Sequence, residues 1–320
     1  MKRVFNEKNR KIRRVLAGMM ASLLISGCGG ADNDEAGLKL NIRDIDVSAK
    51  TSEYTIYFIA DSHISMCDES DADLMEKANA RSASFTVEGA APQDTFDRLI
   101  KEASKSDADL VILGGDIIDS AMQASVEHVK QQLESMNKPY IYLMGNHDFE
   151  YGSEYFSPVA YEEYLPRLDE LHGDKTYQIR EEDNLIVFAV DDSNSQIPAQ
   201  ALEAFKEVVN KGKPVVLALH VPLEPQESDG SFIQQCKEVW GPSADGKSRV
   251  TMGKEGIYPN EITSEFLSMV YAPDSPVELV LAGHVHFFSR DVLTEGTTQI
   301  VTGAAYEGEA VKVTLKWPER

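Results

Sequence analysis

Residues 54–63 read Tyr54-Thr55-Ile56-Tyr57-Phe58-Ile59-Ala60-Asp61-Ser62-His63, an apolar run that ends abruptly in an acid, a hydroxyl and an imidazole. The run is short and rich in β-branched and aromatic side chains, which predicts a buried strand. The same pattern returns four times. Leu110–Leu113 runs into Gly114-Gly115-Asp116, and Tyr140–Met144 into Gly145-Asn146-His147-Asp148. Val215–Leu219 ends at His220, and Val277–Ala282 runs into Gly283-His284-Val285-His286.

Open α/β sheets bind ligands outside the carboxyl ends of their strands, so these polar clusters can converge. The chain has 7 histidines, and only His128 and His172 lie outside the clusters. Carboxylate, imidazole and amide oxygen together suit divalent first-row metals such as Mn, Fe, Co or Zn. His284 and His286 stand two apart on an extended segment and point to opposite sides of it, which suits two adjacent ions better than one. Asp116 has two carboxylate oxygens with which to bridge them. Two ions about 3.5–4 Å apart can hold a nucleophilic hydroxide and clamp an in-line displacement. The glycines at 114, 115, 145 and 283 let the backbone turn sharply beside the ions.

Asp-x-His, Gly-Asp-x-x-Asp, Gly-Asn-His-Asp, a lone His and Gly-His-x-His, in this order from Asp61 to His286, resemble the calcineurin-like metallophosphoesterase superfamily. The resemblance implies an α/β fold, a four-layer α-β-β-α sandwich of two central mixed sheets. It implies a dinuclear centre of two divalent ions (Mn, Fe or Zn), with Asp61, His63 and His286 on the first, Asn146, His220 and His284 on the second, and Asp116 between them. By the same resemblance His147 contacts substrate and assists the leaving group, oriented by Asp148. Among members, the compact motif set is most similar to the class III cyclic-nucleotide phosphodiesterases. Purple acid phosphatases carry a tyrosine three residues after the bridging Asp. Asp119 stands there instead, which argues against a tyrosinate-ligated ferric ion. Asp119 reads either as a carboxylate orienting a ligand histidine or as a helix N-cap.

Helical faces are expected at Phe96, Leu99, Ile100 and Ala103, at Val126, Val129, Leu133 and Met136, and at Leu202, Phe205, Val208 and Val209. Arg290–Leu293, Gln299–Thr302 and Ala310–Trp317 read as successive strands. Residues 64–92 and 221–260 show few periodic signals and leave directly from ligand clusters, so they read as loops bordering the site, with Trp240, Arg249, Lys254 and Tyr258 as candidate substrate contacts. His128 and His172 are expected at the surface, residues 180–183 as a solvated turn, and Asp191 and Asp192 in capping or loop roles. A Cys67–Cys236 disulfide across the site mouth is weighed against two free thiols.

The amino terminus is of a different kind. Lys2, Arg3, Lys8, Arg10, Lys11, Arg13 and Arg14 precede an apolar run from Val15 to Ile25, then Ser26-Gly27-Cys28. Residues 1–27 read as a secretory signal peptide and Ile25-Ser26-Gly27-Cys28 resembles a bacterial lipobox, with Cys28 the lipidated residue. Residues 28–37 have no large apolar side chain and read as a tether, leaving residues 38–320 as one metallophosphoesterase domain. The expectation is an exported lipoprotein that meets the membrane only through Cys28.

With 53 acidic against 31 basic residues, a formal charge of -22, the chain is a poor partner for nucleic-acid polymers or anionic membranes. The expected activity is metal-dependent hydrolysis of a P–O bond in a small phosphorylated substrate, by a phosphodiesterase or phosphatase and without a covalent phosphoenzyme. A catalytically silent, surface-anchored module that binds phosphorylated ligands is the alternative.

Overall fold

The computed structural model describes residues 38–46, 52–149, 158–172, 176–225, 231–241, 250–253 and 256–317. The signal, the tether, Cys28, Arg249 and Lys254 lie outside these residues. The strands are β1 (Asn41–Asp46), β2 (Ser52–Ile59), β3 (Leu110–Gly114), β4 (Tyr140–Leu143), β5 (Tyr177–Glu181), β6 (Ile186–Val190), β7 (Val215–Ala218), β8 (Val277–Ala282), β9 (Ser289–Thr294), β10 (Thr297–Val301) and β11 (Glu309–Trp317). The helices are α1 (Met75–Phe85), α2 (Pro92–Lys105), α3 (Gln123–Met136), α4 (Pro158–His172), α5 (Ala199–Val209), α6 (Ser231–Trp240) and α7 (Glu261–Val270).

Two sheets form, in the orders β1-β11-β2-β3-β4 and β5-β6-β7-β8-β10-β9. Both are mixed. β2, β3 and β4 run parallel, as do β6, β7, β8 and β10, while β11, β5 and β9 pair antiparallel with β2, β6 and β10. Alternation along β2 explains why its sequence is apolar throughout. Ile56, Phe58 and Ala60 face the other sheet, in a core shared with Ile112, Val187, Val216 and Leu281. Tyr57 and Ile59 face outward, under Phe96, Leu99, Val126 and Val129 of α2 and α3. The outer face of the second sheet is covered likewise by Leu202, Phe205, Phe232 and Phe266 of α5, α6 and α7. Strands buried on both faces read as continuous hydrophobic runs, and the result is the four-layer sandwich.

Local signals set several helix ends. Pro92 opens α2, where its missing N–H costs nothing. The Asn260 side chain accepts from Thr263 N at 2.8 Å and caps α7. Asn137 closes α3 in the left-handed conformation, φ 55°.

The structure departs from expectation in three places. Residues 64–92 and 221–260 are not bare loops, since they hold α1 and α6. Residues 180 and 181 end the edge strand β5 rather than sitting in a turn, and Glu182 N bonds Leu185 O at 2.9 Å to close the hairpin. His172, the last residue of α4, is buried, and His128 is half-buried with Nε2 2.8 Å from Asp97 Oδ1. Of the two readings weighed for the cysteines, the structure shows free thiols: Cys67 donates to Asp71 O at 3.0 Å, and Cys236 is buried beside Phe232.

Candidate metal centre

The ends of β2, β3, β4, β7 and β8 meet at one edge of the sandwich, and the backbone there is unusual. Asp61, His63, Asp116, His284 and His286 all have positive φ, between 51° and 73°. A left-handed non-glycine residue costs on the order of 1–3 kcal/mol and persists only where its surroundings fix it. They do. Asp61 N and His63 N donate to Gly115 O and Asp116 O at 3.0 and 2.9 Å, zipping the β2 end to the β3 end. The Asp61 carboxylate accepts His284 N at 2.9 Å. Gly115 and Gly145 are required by closeness: a Cβ at either would lie 2.4 Å from His220 Nδ1 or 2.2 Å from Asp116 Oδ1.

Two carboxylates hold the loops from behind. Asp148 accepts from Gly145 N at 2.6 Å, Asp116 N at 2.8 Å, Ile118 N at 3.2 Å and Tyr142 Oη at 2.9 Å. Burial, then Asp116, pushes its carboxyl up to about 7. Asp192 accepts His220 N at 2.8 Å and Val221 N at 2.9 Å, and burial pushes it up to about 7. Asp191 takes a loop role, accepting Ser193 N at 3.0 Å.

Among the described residues the side chains form three donor groups, of which Asp61 with His63 and His286, and Asp116 with His220 and His284, are built on the expected ligands, and the third joins His63, Asp119 and His147. His286 Nε2 lies 3.3 Å from Asp61 Oδ1 and 3.0 Å from His63 Nε2. His220 Nε2 lies 3.2 Å from Asp116 Oδ2, which is itself 3.9 Å from His63 Nε2, so Asp116 stands between the groups. The far ring nitrogens are committed elsewhere. His63 Nδ1 faces Asp119 Oδ1 at 3.2 Å, His220 Nδ1 donates to Gly114 O at 2.8 Å, and His286 Nδ1 lies 3.2 Å from Tyr306 Oη. That leaves the Nε2 atoms turned inward, the usual arrangement around a metal. Asn146 Oδ1 is buried without a hydrogen-bond partner. Such a donor set fits two divalent ions.

The charges agree. Burial would lower the His220 imidazole, but Asp116 and Asp61 push it up to about 10. Burial also lowers His63 to about 4, against the pull of Asp119. Burial raises Asp61, whereas Asp116 is held well below the usual carboxylate range because His220 and His147 outweigh its burial. A cluster this rich in acids keeps a proton where a cation would sit.

His147 stands beside this centre, three-quarters buried, its backbone N–H bonded to Asp116 Oδ1 at 2.8 Å. Its expected partner was Asp148, but that carboxylate is occupied by backbone N–H groups. The carboxylate at His147 Nδ1 is Asp119, at 3.1 Å. Asp119 is therefore the histidine-orienting carboxylate, not an N-cap; Met122 fills the N-cap position of α3. Burial would lower His147, and Asp116 and Asp119 raise it.

Further residues at the site carry no motif in the sequence. Arg81 on α1 grips Asp119, with Nε to Oδ2 at 2.5 Å and Nη2 to Oδ1 at 2.8 Å. Phe85, one helical turn on, stacks on His63. Tyr306 follows β10 and closes the far side of His286. Trp240, at the end of α6, sets its ring edge-on to His286 with centroids 5.0 Å apart and donates Nε1–H to Val285 O at 2.9 Å. Tyr258 is exposed, in a shallow surface pocket with Pro259, Asn260, Glu261 and Ser264.

Comparison with known proteins turns this geometry into an assignment. The profile of the calcineurin-like phosphoesterases matches residues 54–288, which span every ligand cluster. The chain belongs to the calcineurin-like phosphoesterase family. It is a metallophosphoesterase. A protein described as a probable cyclic nucleotide phosphodiesterase from Psychrobacter arcticus is 24% identical over 193 residues, 56% of this chain and 68% of that one. A dimetal phosphatase from Danio rerio shares the fold, with a TM-score of 0.51 and 14% identity over 81% of this chain and 91% of its own. A purple acid phosphatase from yellow lupin (Lupinus luteus) seeds aligns at a TM-score of 0.49 and 13% identity, over 82% of this chain and 45% of its own.

Proposed function

We propose that this calcineurin-like phosphoesterase hydrolyses a P–O bond of a small phosphate ester or nucleotide, acting as a phosphodiesterase or phosphatase with water as the attacking group. The observation that carries the reading is Asp116, whose Oδ2 lies 3.2 Å from His220 Nε2 and 3.9 Å from His63 Nε2, one carboxylate common to two donor groups. Lewis acidity and activation of water are the chemistry that divalent ions, here Mn, Fe or Zn, supply when bound. Asp61, His63 and His286 would hold one ion, Asn146, His220 and His284 the other, and Asp116 both.

The chain's own residues do the rest. Asp148, Asp192 and the left-handed turns fix the donors before any substrate arrives. His147 turns Nδ1 toward Asp119 at 3.1 Å, which leaves Nε2 to give a hydrogen bond or proton to the departing oxygen. The raised proton affinity of His147 favours that role near neutral pH. The chain's charge of -22 disfavours long polyanions and points to small esters. The name of the Psychrobacter relative supports a diester.

The test compares bis-p-nitrophenyl phosphate with p-nitrophenyl phosphate on manganese-loaded protein. Turnover of either supports the reading, and the ratio sorts phosphodiesterase from phosphatase. No turnover with metal bound assigns a binding scaffold for phosphorylated ligands. His147→Ala should keep its metals and lose about 100-fold or more in turnover; metal loss would refute the role. The reading extends to location: residues 1–27 direct export and Cys28 carries the lipid. Cys28→Ala should then move the protein from the membrane fraction to the soluble one, and retention overturns the anchor.

A further inference from the structure

Asp119 makes four polar contacts with three side chains. Its Oδ1 lies 3.2 Å from His63 Nδ1, 3.1 Å from His147 Nδ1 and 2.8 Å from Arg81 Nη2, while Oδ2 accepts Arg81 Nε at 2.5 Å. An ionised carboxylate is an acceptor only, so both Nδ1 atoms face it as donors, that of His63 in a hydrogen bond and that of His147 at 3.1 Å without hydrogen-bond alignment. One oxygen thus serves a donor of the candidate metal centre and the histidine beside the leaving group. Two imidazoles pulling on a single oxygen do not fix the plane of a carboxylate. A guanidinium fork does, because its two parallel N–H groups engage both oxygens at once.

The fork comes from α1, a helix with a single buried residue, Ala78. Arg81 and Phe85 lie one turn apart and so share a face. The guanidinium carbon sits 4.8 Å over the Phe85 ring, and that ring stacks on His63 with centroids 4.1 Å apart. The helix is thereby seated on the site by these two side chains. Asp119 is nearly fully buried, whereas the Arg81 side chain keeps about a quarter of its surface exposed.

We propose that Arg81 is a positioning residue for the phosphoester reaction: it locks the Asp119 carboxylate so that His63 and His147 are both held with Nδ1 protonated and Nε2 turned to the reacting groups. The inference rests on the hydrolytic reading above. Arg81 touches no reacting atom in this account. It acts through Asp119 on two histidines with different tasks, which gives its loss a distinctive signature.

The experiment compares wild type with Arg81→Gln and Arg81→Lys, each recorded with and without zinc. Nitrogen-15 histidine spectra should show exchange-protected Nδ1–H resonances for His63 and His147 in wild type, identified by their absence in His63→Gln and His147→Gln. Both resonances should vanish in Arg81→Gln, and zinc affinity should weaken with the loosened His63, while KM at saturating zinc stays within two-fold. Turnover should fall about 10-fold or more, and further for phenyl than for p-nitrophenyl esters, because the poorer leaving group depends more on His147. Arg81→Lys restores charge without the fork and should recover only part. Persistence of both resonances in Arg81→Gln overturns the proposal. So does an equal loss of turnover across leaving groups together with a lower melting temperature, the mark of a loosened α1. A wild type inert toward every ester would refute the hydrolytic reading instead, and the ring resonances would still decide the positioning role.

Discussion

Phe85 lies flat on His63, ring centroids 4.1 Å apart and planes within 7° of parallel. The stack covers one face of a metal-donor imidazole whose Nδ1 faces Asp119. Aromatic pairs of this kind contribute about 0.5–1.5 kcal/mol beyond their buried area. Phe85→Ala should therefore weaken metal retention by roughly 2–10-fold while leaving the fold intact. Competition against a chelator, followed by metal analysis, measures this. Unchanged retention would show that Asp119 alone orients the ring.

Asp192 has the corresponding task on the other sheet. Both of its oxygens are taken, by His220 N and Val221 N, so it fixes the backbone that carries His220. Asp192→Asn keeps the volume but replaces one acceptor with a donor facing an N–H group. Metal affinity should drop by about 10–100-fold, the usual cost of losing an outer partner of a metal-bound histidine. The same chelator competition reads it.

The acidity of the donor cluster also has a sign. Burial opposes, but Asp116 and Asp61 raise His220 to about 10, well above its ordinary 6.5. In metal-free protein at pH 8 the imidazole is therefore protonated, and a cation must displace that proton. Manganese binding should release protons, and affinity should fall as pH is lowered. Calorimetry in two buffers of different ionisation enthalpy counts the protons. The linked stability runs the other way from a carboxylate's: in metal-free protein the His220 contribution is complete below pH 6.5 and is lost as pH rises through 10. No proton release at pH 8 would contradict the assignment.

The thiols give a fourth test. Burial pushes Cys236 up to about 12, and burial with Asp71, Asp68 and Asp73 raises Cys67. The thiolate is the reactive form, so both should resist disulfide reagents in the folded protein and react after denaturation. Intact mass should be the same with and without reductant. A two-dalton difference would reveal the bridge that the structure lacks.

The ligand clusters were legible in the sequence because each follows a strand buried on both faces. Ile56, Phe58 and Ala60 pack between the sheets and Tyr57 and Ile59 beneath the helices, so the run is apolar throughout and its end is conspicuous. Arg81 and Phe85 were not legible for the opposite reason. A helix that buries little but Ala78 shows no 3.6-residue period, and what seats it is a long-range ion pair that no local pattern announces. Tyr306 likewise reaches His286 only through the turn after β10. β5 was hidden because edge strands expose Arg180 and Glu181 as a turn would. Asp148 shows where the motif misleads: its neighbour in sequence is His147, but its carboxylate serves the backbone of two loops.

The positive φ angles at Asp61, His63, Asp116, His284 and His286 set stability against function within the same residues. Glycine at any one of the five would relieve conformational strain and delete a metal donor in the same step. That relief would be set against lost contacts, since the Asp61 carboxylate accepts His284 N and Asp116 accepts His147 N, so the turns cannot be relaxed without loosening the loops they aim.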